Sequence, residues 1–371
     1  IKNARDNDRQ VIWFHCASLG EYEQALPLID QCKVHFPRHQ ILTTFYSPSG
    51  YTYIEKKFPE ASISYLPIDT RAEMSSFIAT VQPSMVFIVK YEFWYNMLYI
   101  LHQRQIPVFL VSGIFRKNQL FFKSWSGFYK KIPGFFSHIF VQDTQSAALL
   151  AGIGIGQVTV GGDTRFDRVV ENKDTPFHDK LISVFVDRAN IFVAGSVWDS
   201  DIPVLQKIIS VLPAEWKIII APHEPGHFST HWINDAIDHY SKGIPPKSRV
   251  LLIDTIGLLS KLYRFARFAY VGGGFGKGIH NILEPAVYGI PVLIGPKFQK
   301  FLEAKALTAI GCVFVVDAEN ADQCVMQHIF NENDYNRISE LMIAYIDEHS
   351  NVSEKIMVYV KGYLRGRNQV F

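Results

Sequence analysis

The stretch Phe268-Ala269-Tyr270-Val271-Gly272-Gly273-Gly274-Phe275-Gly276-Lys277-Gly278-Ile279-His280-Asn281 decides how the rest of this sequence is read. An apolar run of strand length enters a loop with five glycines in seven residues, and a helical stretch carrying Glu284-Pro285 follows. Strand, loop and helix in that order make up the unit of an α/β domain, and ligands of such sheets sit beyond the carboxyl ends of the strands. The glycines Gly273, Gly274 and Gly276, with their neighbours, read as backbone N–H groups offered to an anion, and Lys277 adds a positive charge. The order differs from GxxxxGK[ST], so this is not an ATPase phosphate loop, and a dinucleotide fingerprint would not come so late in the chain. Glu284, one turn into the helix, is placed to accept from ribose hydroxyls, whereas Asn281 either joins it or caps the helix. Taken whole, the loop points to a nucleotide-activated donor.

Working outward, apolar runs rich in β-branched and aromatic residues recur at 11–17, 41–46, 63–66, 85–89, 108–112, 138–141 and 158–161. They recur again at 191–195, 217–221, 250–253, 268–272, 292–294 and 313–316. They lack polar alternation, as strands buried on both faces of a parallel sheet do. Helix-patterned stretches separate them at 21–36, 71–81, 94–103, 202–211, 227–240, 281–288 and 301–310. This alternation predicts an α/β protein with parallel sheets. For 371 residues, two sheets of about six or seven strands fit better than one. The expectation is two Rossmann-like domains facing a central cleft, at 1–165 and 166–350, with a helix in 351–371 crossing back to the first. The polar, weakly periodic segment 162–190 is the expected boundary.

Hydrophobic residues make up 48% and charged residues 19%, which is enough to build two cores and excludes disorder. Lys and Arg number 37 against 35 Asp and Glu. The near-zero balance excludes polyanion binding driven by bulk charge, and no nucleic-acid recognition motif is present. Cys16, Cys32, Cys312 and Cys324 are widely spaced, so neither a zinc cluster nor a disulfide scaffold is expected. No apolar run approaches the roughly 20 residues that span a bilayer. The chain begins at Ile1, and an N-terminal anchor is expected to be missing from it.

Other loops in the same position carry further candidates. Strand 11–17 runs into Ser18-Leu19-Gly20-Glu21. Ser18 with Glu21 three residues on has the spacing of a capping box; the same Glu, at a helix start beyond a strand, suits a general base for an acceptor hydroxyl. Gly20 permits a tight turn and close approach of a ligand. His15 reads as a core histidine. Ser196 follows strand 191–195 and either caps a helix or binds phosphate. Pro222 and His223 follow strand 217–221, and the Pro225-Gly226 pair argues against a zinc site at His223 and His227. Glu92, among aromatics, either holds a sugar hydroxyl or is an ordinary carboxylate at a helix N-terminus. The segment 117–136 interleaves Phe121, Phe122 and Trp125 with Lys123, Lys130 and Lys131. Contact with a membrane surface is the favoured reading, with base stacking and core packing as rivals.

These residues resemble the 3-deoxy-D-manno-octulosonic acid (Kdo) transferases of lipid A and lipopolysaccharide biosynthesis. The resemblance runs from Val11 past Cys312. It is carried by His15-Cys16-Ala17-Ser18-Leu19-Gly20-Glu21, Ser47-Pro48-Ser49-Gly50, Tyr65-Leu66-Pro67-Ile68-Asp69 and Glu92-Phe93-Trp94-Tyr95-Asn96. It continues through Gly162-Asp163-Thr164-Arg165-Phe166-Asp167, Ala194-Gly195-Ser196, Gly272-Gly273-Gly274 and His280-Asn281-Ile282-Leu283-Glu284-Pro285 to Pro291-Val292-Leu293-Ile294-Gly295-Pro296. The resemblance implies a GT-B glycosyltransferase that moves Kdo from CMP-Kdo to a lipid A precursor (lipid IVA) with inversion. It implies no metal and no cofactor, with Glu21 as general base. Ser196, Pro222, His223 and the glycine-rich loop would hold the donor. Ser18, Gly20, Ser49, Glu92 and Arg165 would hold the acceptor or its sugar. The implied partners are CMP-Kdo, the lipid A precursor and a membrane surface, at the cytoplasmic face of the bacterial inner membrane, with peripheral attachment. The chain departs from the family pattern at Val197-Trp198-Asp199, His223-Glu224-Pro225-Gly226, Gly257-Leu258-Leu259 and Arg165. The rival readings are a GT-B transferase or epimerase using a UDP-sugar, and a non-catalytic lipopolysaccharide- or membrane-binding protein.

Overall fold

The computed structural model describes residues 9–123 and 127–367. These divide into two compact units. One holds the residues up to Arg168 together with those from His349 onward, and the other holds Val169–Glu348.

In the first unit, strands β1 (Val11–Cys16), β2 (Gln40–Phe45), β3 (Ile63–Tyr65), β4 (Pro83–Val89), β5 (Val108–Gly113), β6 (His138–Val141) and β7 (Val158–Val160) form one sheet. Its order is β3-β2-β1-β4-β5-β6-β7 and every pair is parallel. Helices α1 (Leu19–His35), α2 (Pro48–Lys57), α3 (Arg71–Val81), α4 (Tyr95–Gln103) and α5 (Thr144–Ala151) connect the strands. Successive side chains of a strand point to opposite faces, so β1 feeds two cores. Trp13 packs on one face with Val86, Ile88 and Leu110. Ile12 and Phe14 pack on the other with Phe87 and Phe109. Each such side chain contributes about 1.5–3 kcal/mol by leaving water, which is why these runs carry no polar alternation.

Helix α6 (Arg165–Asp174) follows, and the division between units falls inside it, between Arg168 and Val169. The polar segment read as a boundary is thus helical where the chain passes from one unit to the next. In the second unit, α7 (Lys180–Val186) leads to β8 (Ile191–Val197), α8 (Ile202–Val211), β9 (Lys217–Pro222), β10 (Ile237–His239) and β11 (Val250–Leu252). After α9 (Leu259–Leu262) come β12 (Ala266–Val271), α10 (Leu283–Ala286), β13 (Val292–Ile294), α11 (Leu302–Ala309), β14 (Val313–Val315), α12 (Ala321–Cys324) and α13 (Glu332–His349). The sheet order is β10-β11-β9-β8-β12-β13-β14, again all parallel. Helix α14 (Val352–Gly366) then packs on α1 of the first unit, through Ile356, Met357, Val360 and Leu364.

Helices α2, α5, α7 and α13 form where the sequence pattern marked none, and two expected helices come out differently. The helix expected at 227–240 is instead irregular chain ending in β10. That strand is three residues long at a sheet edge, where backbone pairing to β11 rather than an apolar pattern decides the conformation. The helix expected at 281–288 contracts to the four residues of α10.

Candidate functional site

Both sheets reverse direction of winding at one point, and there the loops leaving adjacent strands stand side by side. In the first unit that point lies between β1 and β4, where Cys16 pairs with Val89. The chain after β1 carries Ser18 and Glu21, and the chain after β4 carries Lys90 and Glu92. The capping box is real: Ser18 N and Ser18 Oγ donate to Glu21 Oε2 at 2.9 and 3.2 Å, and Glu21 N donates to Ser18 Oγ at 3.4 Å. All bonds to the carboxylate end on Oε2, and among the described residues Oε1 takes none. Capping and proton acceptance therefore do not compete for the same oxygen. Burial raises the Glu21 pKa, the Glu92 charge raises it further, and the Ser18 bonds and His15 only partly offset this. His15 is fully buried, as the core reading expected. Its Nδ1 meets Thr44 Oγ1 at 2.9 Å, and its Nε2 lies 3.9 Å from Glu92 Oε2.

The same end of this sheet holds the other acceptor-side candidates. Ser49 Oγ is 2.8 Å from Ser47 Oγ at the start of α2. Gly20 is exposed beside Ser18. Arg165 is clamped by Asp163, its Nε donating to Oδ2 at 2.8 Å, and Lys90 Nζ lies 3.8 Å from the same oxygen. Burial pushes the Asp163 carboxyl up, but the Arg165 and Lys90 charges together hold it below its usual range. Asp163 and Lys90 were missed as site residues; no local pattern marks a buried aspartate that joins its neighbour Arg165 to a lysine 73 positions away. Asp69 is also more than a motif residue. It accepts from Asn96 N at 3.0 Å and Met97 N at 2.9 Å, capping α4 from outside and steadying the Glu92–Trp94 turn.

The aromatic segment divides. Phe121 is only 7% exposed and packs edge-on against Phe93 at 4.8 Å, so it is a core side chain rather than a membrane-facing one. Phe122 is partly buried in the same cluster. Core packing wins here because Phe93, Phe115 and Phe136 supply a ready apolar pocket. Lys123 and Lys130 are partly exposed and Lys131 is exposed, as are Phe128 and Tyr129. Trp125 lies outside the described residues. No helix among the described residues is long and apolar enough to cross a membrane.

In the second unit the reversal lies between β8 and β12, where Gly195 pairs with Val271. The glycine-rich loop starts there, and three of its glycines answer to packing rather than only to an anion. A Cβ on Gly272 would fall 2.4 Å from Ser196 O, one on Gly273 2.6 Å from Gly278 O, and one on Gly274 2.5 Å from Gly295 Cα. Several N–H groups expected to face an anion are also spent inside the unit. Gly272 N donates to Gly195 O, Gly276 N to Gly273 O and His280 N to Gly272 O. Gly273 N donates to Asp201 Oδ2 at 3.1 Å. Asp201 is fully buried and also accepts from Trp198 N and Tyr270 Oη, both at 2.8 Å. It fastens the two loops together, and burial pushes its carboxyl pKa up. Only its position three residues after Trp198 hinted at this.

A cavity of about 760 Å³ opens beside this loop. It gathers His223, Gly273, Gly276 and Lys277 of the expected donor residues, and adds Trp198, Asp199, Glu224, His227, Phe228 and His280. Ser196, Pro222, Gly274, Asn281 and Glu284 lie outside its lining. Asn281 Oδ1 instead accepts from Leu283 N at 3.3 Å and its amide donates to Glu284 Oε1, so it closes the turn that leads into α10, whose N-cap is Ile282. Trp198 Nε1 donates to His280 Nε2 at 3.1 Å with the rings within 15° of coplanar. His223 lies over both, at 4.5 Å from Trp198 and 4.4 Å from His280. Burial, then the neighbouring His223, lowers the His280 pKa to about 4, consistent with an Nε2 that accepts. Two family departures, Trp198 and His223, thus form one aromatic wall. Among the described residues no three His, Cys, Asp or Glu side chains gather as metal ligands.

Residues 1–168 match the family model described as 3-deoxy-D-manno-octulosonic-acid transferase. A 3-deoxy-D-manno-octulosonic acid transferase of Rickettsia bellii is 26% identical over 81% of this chain and 74% of its own length. One of Haemophilus influenzae is 24% identical over 98% of this chain and 89% of its own. Among solved structures, a UDP-GlcNAc 2-epimerase of Neisseria meningitidis bound to UDP-GlcNAc superposes with a TM-score of 0.64 over 94% of this chain and 98% of that one. At 14% identity that likeness concerns the fold alone, the two-domain Rossmann-like GT-B architecture.

Proposed function

We propose, from the premise that this chain belongs to the Kdo transferase family and is a glycosyltransferase, that it moves Kdo from CMP-Kdo to a hydroxyl of a lipid A precursor, lipid IVA. The observation that carries the reading is Glu21: a partly buried carboxylate at the switch point of the first sheet, with one oxygen held by Ser18 and the other outside the cap. Glu21 takes the proton from the acceptor hydroxyl as that oxygen attacks the anomeric carbon of Kdo. The bond from that carbon to the CMP phosphate breaks as the new one forms, and the single displacement inverts the centre. CMP is held in the cavity beside the glycine-rich loop, which is of the size that takes such ligands. Lys277, on the cavity wall, stabilises the charge that grows on the leaving phosphate, without a metal. Ser49, Glu92 and Arg165 hold the acceptor. Phe128, Tyr129, Lys130 and Lys131 rest on the cytoplasmic face of the inner membrane, in place of the buried Phe121.

The test is a transfer assay with CMP-Kdo generated in place and lipid IVA as acceptor, read by mass. Wild type gains one or more Kdo masses. Glu21→Gln keeps a capping-box side chain but not the base, and loses at least about 10²-fold in turnover while CMP affinity stays within a few-fold. Equal loss of transfer and CMP binding would make Glu21 a cap only. Tighter binding of UDP than CMP would move the donor to a UDP-sugar.

A further inference from the structure

An aromatic pair next to Glu21 has no part in the roles assigned above. Tyr46, on the loop after β2, is 58% exposed. Its ring lies 5.3 Å from that of Trp94, tilted by 35°. Two hydrogen bonds tie this loop to the one bearing the carboxylate: Tyr46 N and Ser47 N both donate to Ala17 O, at 3.2 and 2.7 Å. Trp94 stands two residues after Glu92 and is held from below, packed against the apolar core and followed by the Asp69-capped start of α4. A rigid indole and a widely exposed phenol therefore border the Ser18–Glu21 turn, with the Ser47 and Ser49 hydroxyls at the rim.

We propose that Tyr46 and Trp94 form a shelf for a pyranose ring of the acceptor, a contact to sugar rather than to acyl chain. Pyranoses present a C–H face that packs on aromatic rings, and fixed aromatics orient such ligands at low entropic cost. The edge hydroxyls then point one way to the Ser47–Ser49 pair and the other way to Glu21. A membrane anchor would call for a basic cluster at this spot, whereas Glu92 stands two residues before Trp94 and Asp69 caps the helix that follows it. The proposal rests on the reading of Glu21 as base.

The experiment measures acceptor and donor KM separately, together with micellar lipid IVA binding to Glu21→Gln protein, which needs no turnover. Tyr46 is a surface residue, so its variants should fold. Tyr46→Ala is expected to raise the acceptor KM, and to weaken lipid IVA binding, about tenfold, with kcat and donor KM within a few-fold. Tyr46→Phe, which keeps the ring, should stay near wild type. Unchanged acceptor KM and binding in Tyr46→Ala would overturn the shelf, as would a defect confined to anionic vesicle binding. If wild type binds lipid IVA without transferring Kdo, the catalytic reading fails while the binding arm still decides the shelf. If wild type does not bind it at all, both fail.

Discussion

Glu21 is a residue in which two needs coincide. The helix start wants a carboxylate to close the cap, and the reaction wants one that is hard to ionise and so holds a proton well. Burial and the Glu92 charge supply the second property. A base works only in its ionised form, so turnover should fall as pH drops through the raised Glu21 pKa. Replacing Glu92 by Gln removes one of the two raising causes. The acid limb of kcat should then move to lower pH, which a pH–rate profile reads directly. A limb that stays put would mean that another group titrates. The capping-box spacing was legible in the sequence, but the pairing with Glu92 was not, because the two residues are 71 positions apart and meet only across β1 and β4.

At the scale of elements, the glycine-rich loop separates glycines that the fold needs from those the cavity can use. Gly274 lets the backbone pass Gly295 closely, whereas a Cβ on Gly276 meets nothing nearer than Gly273 O at 3.6 Å. Gly274→Ala is expected to cost about 2–4 kcal/mol, since the clash is with backbone and cannot be relieved by a rotamer change. Gly276→Ala should leave stability within about 0.5 kcal/mol of wild type. Urea unfolding of the two variants checks this, and comparable losses would mean that the loop packs differently. In sequence the five glycines look alike. Their division depends on what stands opposite each, which is Ser196 for Gly272 and Gly295 for Gly274.

At the scale of the molecule, the C-terminal helix belongs to the first unit although it follows the second in sequence. Asp167 fastens it, accepting from Val352 N at 3.0 Å and Ser353 N at 2.6 Å, and its apolar stripe fills the core above α1. A chain ending at Ser350 should therefore lose stability in the first unit while the second stays folded and keeps its CMP affinity. Calorimetry would show a lowered transition beside an unchanged one. A uniform loss across both would show that the units unfold together.

The sequence by itself determined that this is an α/β chain with two parallel sheets. Runs such as Val11–Cys16 and Ala266–Val271 are buried on both faces and can pack in few other ways. It determined the Ser18–Glu21 cap, because that chemistry is complete within four residues. It also carried the family likeness, to relatives about a quarter identical. Only the tertiary structure decided which polar groups share an environment: Glu21 with Glu92, Asp163 with Lys90 and Arg165, Asp201 with the glycine loop, His223 with Trp198 and His280. It alone placed Phe121 in a core and three residues of an expected helix in a sheet edge. The physical reason is one of range. Periodicity and caps act between neighbours in the chain, whereas burial, charge coupling and close backbone approach depend on which distant segments come together.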